Sequence, residues 1–265
     1  MNILVKFPTR SRPQKFFQTL LKYQTLRSTN KVKFLVTIDG DDTTMTNGRI
    51  IDILKQWGNL RYEIIASSGK INAINSGINE YDEEYDILVL ASDDMVPQFY
   101  GWDQVIIDEM NANYPDLDGV LWFNDGHTAD KLNTLSIMGK KYYDRFKYIY
   151  HPSYKSLWCD NEFMDVANRL GKQKYIDRVI IKHEHPIWND NYTKDSLNIR
   201  DQQNYTIDQE NYERRKSADF ELQTIIFNTN SDIEVKSGKV EHINESNRVT
   251  TKKRGRRKST DMHNV

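Results

Sequence analysis

An α/β fold with a mostly parallel sheet is what this sequence predicts, on three observations. Short apolar runs alternate with helix-patterned stretches from Asn2 to Asn111, the pattern of successive βαβ units with right-handed crossovers. Those runs are rich in branched residues and too brief for helices, as buried strands are. Three of them stop at polar clusters: Thr9-Arg10-Ser11-Arg12, Asp39-Gly40-Asp41-Asp42 and Ser92-Asp93-Asp94. In an open α/β sheet such strand ends lie side by side and gather the ligand.

Taken in order, Asn2 to Phe7 reads as a first strand, broken by Pro8 to Pro13. A helix follows from Gln14 to Leu26, with Phe16, Phe17, Leu20, Leu21 and Tyr23 at helical spacing. Val32 to Ile38 is a second strand, and Asn47 to Trp57 a helix closed by Gly58-Asn59. Tyr62 to Ala66 makes a third strand and Ile71 to Ile78 a short helix. Ile87-Leu88-Val89-Leu90 is the organising strand; Pro97 bars its continuation because proline lacks the ladder N–H. A helix from Trp102 to Asn111 comes next. Beyond Pro115 the pattern predicts a strand over Gly119 to Phe123 and an edge or crossing strand over Leu135 to Met138. It then predicts a helix from Asp160 to Leu170 ended by Gly171, and a strand from Tyr175 to Lys182. Tyr142 to Tyr154 carries six aromatic rings, read first as a core flap packed on the sheet and second as an acceptor platform.

Composition narrows the function classes. In 265 residues, 38% are hydrophobic and 28% charged, which allows one sizeable core with an appendage. One cysteine, Cys159, excludes an internal disulfide and gives no argument for secretion. There is no signal-peptide pattern and no apolar run long enough to span a membrane, so the expected compartment is the cytoplasm. Neither G-x-G-x-x-G nor G-x-x-x-x-G-K-[ST] occurs, which argues against a dinucleotide dehydrogenase or a P-loop enzyme. The net charge of −1 conceals an asymmetry: residues 248–265 carry +6, leaving −7 on the preceding 247.

The three strand-end clusters together point to a nucleoside-diphosphate site. Arginines suit phosphate oxygens, an aspartate can accept the imide N–H of a uracil, and paired carboxylates suit Mg²⁺ or Mn²⁺ when a phosphate completes the shell. Two later clusters hold further candidates. In His183-Glu184-His185-Pro186 both histidines point to one face of a strand, either as ordinary surface residues, the reading the spacing alone favours, or as groups that approach a metal. In Trp158-Cys159-Asp160-Asn161-Glu162 an acid opens a helix, either as a cap or as a general base.

With these residues in place the pattern resembles glycosyltransferases of the GT-A fold, close to family 2, including compact versions carried by bacteriophages. The likeness spans about residues 3–190 and rests on PTRSRP, IDGDD, SGKINAINSGI, LVLASDDMVPQFYGWD, and DNEF followed by KHEHP. It implies a GT-A domain over 1–190 built on one Rossmann-like mixed sheet flanked by helices. An extension over 191–247 would pack on that domain, and 248–265 would form a basic tail. Pro8, Thr9, Arg10 and Arg12 would line the nucleotide pocket with Asp39 on the base, and Lys70 and Asn75 would lie near the ribose and phosphates. The family's D-x-D appears as Ala91-Ser92-Asp93, lacking its first aspartate. That leaves Ser92 at the nucleotide sugar, Asp93 as leading metal ligand and Asp94 in support, with His183 or His185 as the late ligand. Asp160 matches the catalytic base and Glu162 is the reserve. The implied reaction is an inverting transfer from a nucleoside-diphosphate sugar, UDP-linked by expectation, assisted by Mn²⁺ or Mg²⁺. A retaining course, which needs no such base, stays open.

The tail suggests the acceptor. Thr250 to Ser259 is cationic at Lys252, Lys253, Arg254, Arg256, Arg257 and Lys258, lacks apolar residues and is expected to be disordered alone. Its Arg254-Gly255-Arg256 core resembles an AT-hook, and narrow minor grooves attract inserted arginines. A solvated solubilising tail or a nonspecific polyanion tether reads equally well, and the tether also favours nucleic acid. The expected acceptor is therefore a hydroxymethylated pyrimidine in phage DNA, or a sugar already attached to it. Tyr142 to Tyr154, or Trp188 and Tyr192, would form the slot for a flipped base. Two rivals stand beside this reading: transfer to polysaccharide or lipid-linked sugar, and a noncatalytic DNA-binding protein on a GT-A scaffold.

Overall fold

Buried strands dominate the first half of the chain, and their order sets where ligands can go. The computed structural model describes residues 1–184, 199 and 202–223. Met1–Phe220 form one compact unit, and the remaining Glu221–Val265 group separately. The elements are β1 (Ile3–Thr9), α1 (Pro13–Thr25), β2 (Val32–Asp39), α2 (Gly48–Lys55), β3 (Leu60–Ile65), α3 (Lys70–Asn75), β4 (Ile87–Leu90), β5 (Met95–Pro97) and α4 (Trp102–Asn113). Then come β6 (Val120–Phe123), β7 (Ile137–Gly139), α5 (Lys140–Phe146), α6 (Cys159–Arg169), β8 (Gln173–Ile176), β9 (Ile181–His183) and α7 (Tyr205–Ser217).

Among the described residues, seven strands form one sheet in the order β3-β2-β1-β4-β7-β6-β8. β1 runs parallel to β2 and β4, β2 to β3, and β6 to β8. β7 is antiparallel to both neighbours, β4 and β6, so the sheet is mixed. This is the α/β architecture expected from the sequence. The strand expected at an edge or crossing is the interior crossing strand β7.

Parallel strands covered on both faces need apolar side chains throughout, and Ile87 to Leu90 is buried at every position. Under α1, Phe7, Phe16, Tyr23, Phe34 and Trp102 fill the core without solvent contact. Tyr23 and Trp102 meet edge to face at 5.1 Å, a favoured aromatic geometry. Two buried polar side chains hold α3 over the sheet. Thr37 Oγ1 donates to the Ala73 carbonyl at 2.7 Å, and Lys6 Nζ donates to the Ser76 carbonyl at 2.5 Å. The expected helix over 71–78 stops early for a backbone reason. Gly77 has φ +77°, and a Cβ there would lie 2.3 Å from Glu63 Oε2.

The expected single strand over 175–182 is two strands in two sheets. Arg178 N–H turns back to the Ile176 carbonyl at 2.8 Å, ending β8 at the main sheet. β9 then pairs antiparallel with β5, setting His183 opposite Met95. β5 therefore extends through Pro97, where a strand stop is expected; the proline sits at the strand's last residue and its missing N–H is tolerated there. Tyr142, Tyr143, Tyr150 and Tyr154 are buried, and Tyr142 and Tyr150 pack edge to face on Phe163 of α6. That is the core-flap reading of the aromatic stretch.

Candidate functional site

The tips of β1, β2 and β4 open into a cavity of about 280 Å³. Pro8, Thr9, Arg10, Arg12 and Asp39 line one end, Ser92, Asp93, Asp94 and His183 the middle, and Lys70, Ser156, Leu157 and Asp160 the other. This crevice lies outside the carboxyl ends of parallel strands, where sheet topology alone places ligands.

At the β1–β2 end, Asp39 is 6% exposed. Its Oδ2 accepts from Arg10 Nη1 at 2.8 Å, while its Oδ1 is buried with no hydrogen-bond partner. Thr9 Oγ1 is likewise buried and unmatched. A buried polar atom left unmatched costs about 1–3 kcal/mol, so these two leave hydrogen-bonding capacity unused on residues of the cavity wall. Arg10 reaches on to Asp41 with both terminal nitrogens, and these bonds hold the Asp41 carboxyl down at about 2. Asp42 acts locally, where its Oδ2 accepts the Ser11 N–H at 2.7 Å and fixes the turn in which Ser11 has φ +61°.

In the middle, adjacent carboxylates are held differently. Asp93 Oδ1 lies 3.2 Å from Arg12 Nη1. Burial and then the charge of Asp94 raise its carboxyl above the ordinary range, against the pull of Arg12 and Lys15. Asp94 accepts from Ser92 Oγ, and its Oδ1 is 3.8 Å from His183 Nε2. His183 is carried there by β9. The Glu184 N–H bonds the Asp94 carbonyl at 2.7 Å, and the His183 N–H bonds the Asp125 carbonyl at 2.9 Å. No group of three His, Cys, Asp or Glu among the described residues is arranged to hold an ion by itself. Two carboxylates and an imidazole at a cleft nonetheless fit Mn²⁺ or Mg²⁺ if a diphosphate supplies the remaining oxygens, as it commonly does for such ions. His185 lies outside the described residues.

At the far end, α6 begins with Cys159 buried and Asp160 on the cavity wall, keeping a solvent-reachable edge. Asp160 Oδ1 accepts the Asn161 N–H at 3.0 Å. Burial raises its carboxyl above the ordinary range, with Lys70 acting against that shift. A raised carboxylate facing a cavity is a better proton acceptor than an ordinary one. Glu162, the reserve candidate, is off this cavity and engaged elsewhere. Arg215 grips it through Nε at 2.7 Å and Nη2 at 2.9 Å, and the Tyr154 hydroxyl donates to it at 2.7 Å. Asn75 also serves the framework: its Oδ1 accepts the Ile149 and Tyr150 N–H groups, and its Nδ2 donates to the Tyr150 carbonyl at 2.7 Å.

Sequence reasoning passed over two organising carboxylates. Asp125 is 1% exposed and accepts from the N–H groups of His127 and Thr128 and the hydroxyls of Thr128 and Thr134. Thr134 lines the cavity, so one side chain fixes a wall residue while its own carbonyl holds His183. Burial alone would raise Asp125, but these donors outweigh it and lower the carboxyl. Asp208 of α7 is 0% exposed and accepts the N–H groups of Lys155, Ser156 and Leu157, each at 2.8 Å. The only sequence signal for either was an acid in a polar stretch. Trp188, Tyr192 and the tail cations Lys252, Lys253, Arg254, Arg256, Arg257 and Lys258 lie outside the described residues.

No protein-family model matches this sequence, and no curated protein matches it. Solved structures do match in fold. A mannosyltransferase from Pyrobaculum calidifontis, solved with GDP-Man and Mn²⁺, superposes with a TM-score of 0.57 at 11% identity, covering 71% of this chain and 58% of that one. S. aureus TarS gives 0.55 at 14% identity over 70% of this chain and 37% of its own. A TarS 1-349 structure with UDP-GlcNAc gives 0.51 at 14% identity over 78% and 66%. The chain thus spans less than two thirds of the length of each. At these identities the likeness establishes a shared fold.

Proposed function

We propose that this chain transfers a glycosyl group from a nucleoside-diphosphate sugar to an acceptor hydroxyl. The observation that carries the proposal is the order of groups along one cavity. An unmatched Asp39 oxygen and cationic arginines stand at one end, the Asp93–Asp94–His183 cluster in the middle, and a raised Asp160 carboxylate at the other. Fold neighbours solved with GDP-Man and Mn²⁺ and with UDP-GlcNAc support the same reading.

In this mechanism Asp39 Oδ1 accepts an N–H of the base, for which the imide of uracil is the simplest fit, and Arg10 holds the carboxylate in that pose. Arg12 turns to the diphosphate, whose charge rises as the glycosidic C–O bond breaks. Asp93, Asp94 and His183 would hold Mn²⁺ or Mg²⁺, which when bound neutralises leaving-group charge. Asp160 takes the proton from the acceptor hydroxyl as its oxygen bonds the anomeric carbon. The leaving diphosphate keeps the electron pair of the broken bond, and the configuration inverts. The acceptor we favour is a hydroxymethylated pyrimidine of DNA, or a sugar on it. What supports that choice is the run of cations from Lys252 to Lys258. No helix among the described residues is long and apolar enough to cross a membrane.

The test is thermal. UDP-sugar with Mn²⁺ should raise the melting temperature of the full chain and should be slowly hydrolysed, because a ligand bound only by the folded state stabilises it. Asp93→Ala and Asp94→Ala should each abolish the metal-dependent part of both effects. No shift with any nucleotide sugar, with or without metal, ends the proposal.

A further inference from the structure

Beside the reaction cavity lies a second one, of about 440 Å³, and Lys70 lines both. Ser68, Lys70, Asn72, Tyr154, Lys155 and Asn204 are among its lining residues. No carboxylate lines this groove among the described residues. The acids packed under it are already met by donors: Asp208 by three backbone N–H groups, and Glu162 by Arg215 and Tyr154. That is unusual for this molecule, whose first 247 residues carry −7. Another cavity of comparable size, about 530 Å³, is lined by Asp82, Glu83, Glu84, Asp86 and Asp144 together with Lys140 and Lys147. Among its described lining residues the groove carries two lysines and no carboxylate, where the other cavity carries five carboxylates with two lysines.

The groove also leads to the chemistry. Lys155 is followed directly by Ser156 and Leu157 on the reaction-cavity wall, with Asp160 shortly after. The two ammonium groups and the Asn72 amide are donors of the kind that phosphodiester oxygens accept from, while the Ser68 hydroxyl donates to the Ala66 carbonyl and the Asn204 amide to Ser156 Oγ. We infer that this groove holds the phosphodiester backbone of the acceptor beside the hydroxyl to be glycosylated, and that the strand is single-stranded DNA. Chemistry on a base needs that base out of the stack, which a single strand supplies without unpairing, and the cationic run at 252–258 lies on the same chain. The inference rests on the glycosyl-transfer reading for its polarity, groove to Asp160.

The experiment measures anisotropy of a fluorescein-labelled 20-mer of single-stranded DNA with the full chain across a NaCl series. Three proteins are compared: wild type, Lys155→Glu, and a variant with the six tail cations changed to Gln. UDP-sugar hydrolysis without acceptor is followed in parallel. Lys155→Glu should weaken DNA binding roughly tenfold and lower the salt slope by about 0.7 per lost phosphate contact. Its melting temperature and hydrolysis rate should not change, since the Lys155 side chain is exposed and only its backbone N–H serves Asp208. The tail variant should keep the Lys155-dependent part. DNA affinity within twofold of wild type in Lys155→Glu, with an unchanged slope, overturns the groove. So does Lys155-dependent binding of a polyglycerol phosphate that DNA fails to displace. If wild type binds DNA through Lys155 yet hydrolyses no nucleotide sugar, the transfer reading fails and the groove stands.

Discussion

Replacing Asp208 with asparagine separates the two ends of the site. Asp208 is fully buried, its Oδ1 accepts from Lys155, and its Oδ2 accepts from Ser156 and Leu157. An amide placed with its oxygen at the Oδ2 position keeps two of these bonds and turns an NH₂ toward the Lys155 N–H. One charge-assisted bond, worth about 1.5–3 kcal/mol, is lost, and two become neutral. We expect Asp208→Asn to lower unfolding stability by about 2 kcal/mol in urea, and Asp208→Ala by more. The nucleotide end is built on β1 and β2 and does not touch this loop, so affinity for a nucleoside diphosphate should stay within twofold. Turnover should fall about tenfold or more, because Ser156, Leu157 and the start of α6 lose their anchor. Isothermal titration and steady-state rates read the two ends separately. Unchanged stability with unchanged turnover, or equal losses at both ends, would refute the view of α7 as an anchor for the Asp160 end alone.

Three other outcomes follow from the same geometry. Asp160→Asn should cut turnover by about 10²–10⁴ while sparing donor affinity; wild-type activity should fade as pH drops through a carboxyl value above the ordinary aspartate range, and that acid limb should vanish in the variant. Asp39→Asn should weaken nucleoside-diphosphate binding about tenfold or more by calorimetry, since the amide disrupts the Arg10 pair and leaves one acceptor oxygen to serve both Arg10 and the base. Lys6, fully buried in β1, is pushed by burial from 10.5 to about 7, against Glu63 and Glu80. The unfolded chain therefore binds more protons between those values, and wild-type stability should rise with pH across that window. Lys6→Met should remove the slope and be about 1–3 kcal/mol more stable than wild type at pH 7, after allowing for the Ser76 carbonyl it strands. Denaturation midpoints of both proteins at pH 7 and 9 check this.

What could be read in advance was whatever depends on local pattern and sheet topology. Continuous apolar runs such as Ile87 to Leu90 announced buried strands, and the tips of β1, β2 and β4 had to meet because parallel neighbours end on the same side. Arg10, Asp39 and Asp93 could therefore be grouped in one crevice before any coordinates. Residues whose work depends on distant partners could not be sorted this way. Glu162 sits two residues after Asp160 in the same acidic run, yet Arg215, 53 positions later, claims it. Asn75 looked like a ligand contact because its spacing from Lys70 fits a motif, but a chain segment 75 positions away uses both ends of its amide. The turn at Arg178 that splits one expected strand into β8 and β9 has no glycine or proline to mark it.

The two-stranded ribbon of β5 and β9 has a consequence for synthesis. A chain emerging from the ribosome as far as α5 already owns the tips that would grip a nucleotide, but His183 reaches Asp94 only after β9 emerges, and Asp208 and Arg215 secure α6 later still. A domain generally folds as a unit once its chain has emerged. The Asp93–Asp94–His183 cluster and the seat of α6 are thus completed only by residues from the last part of the compact unit.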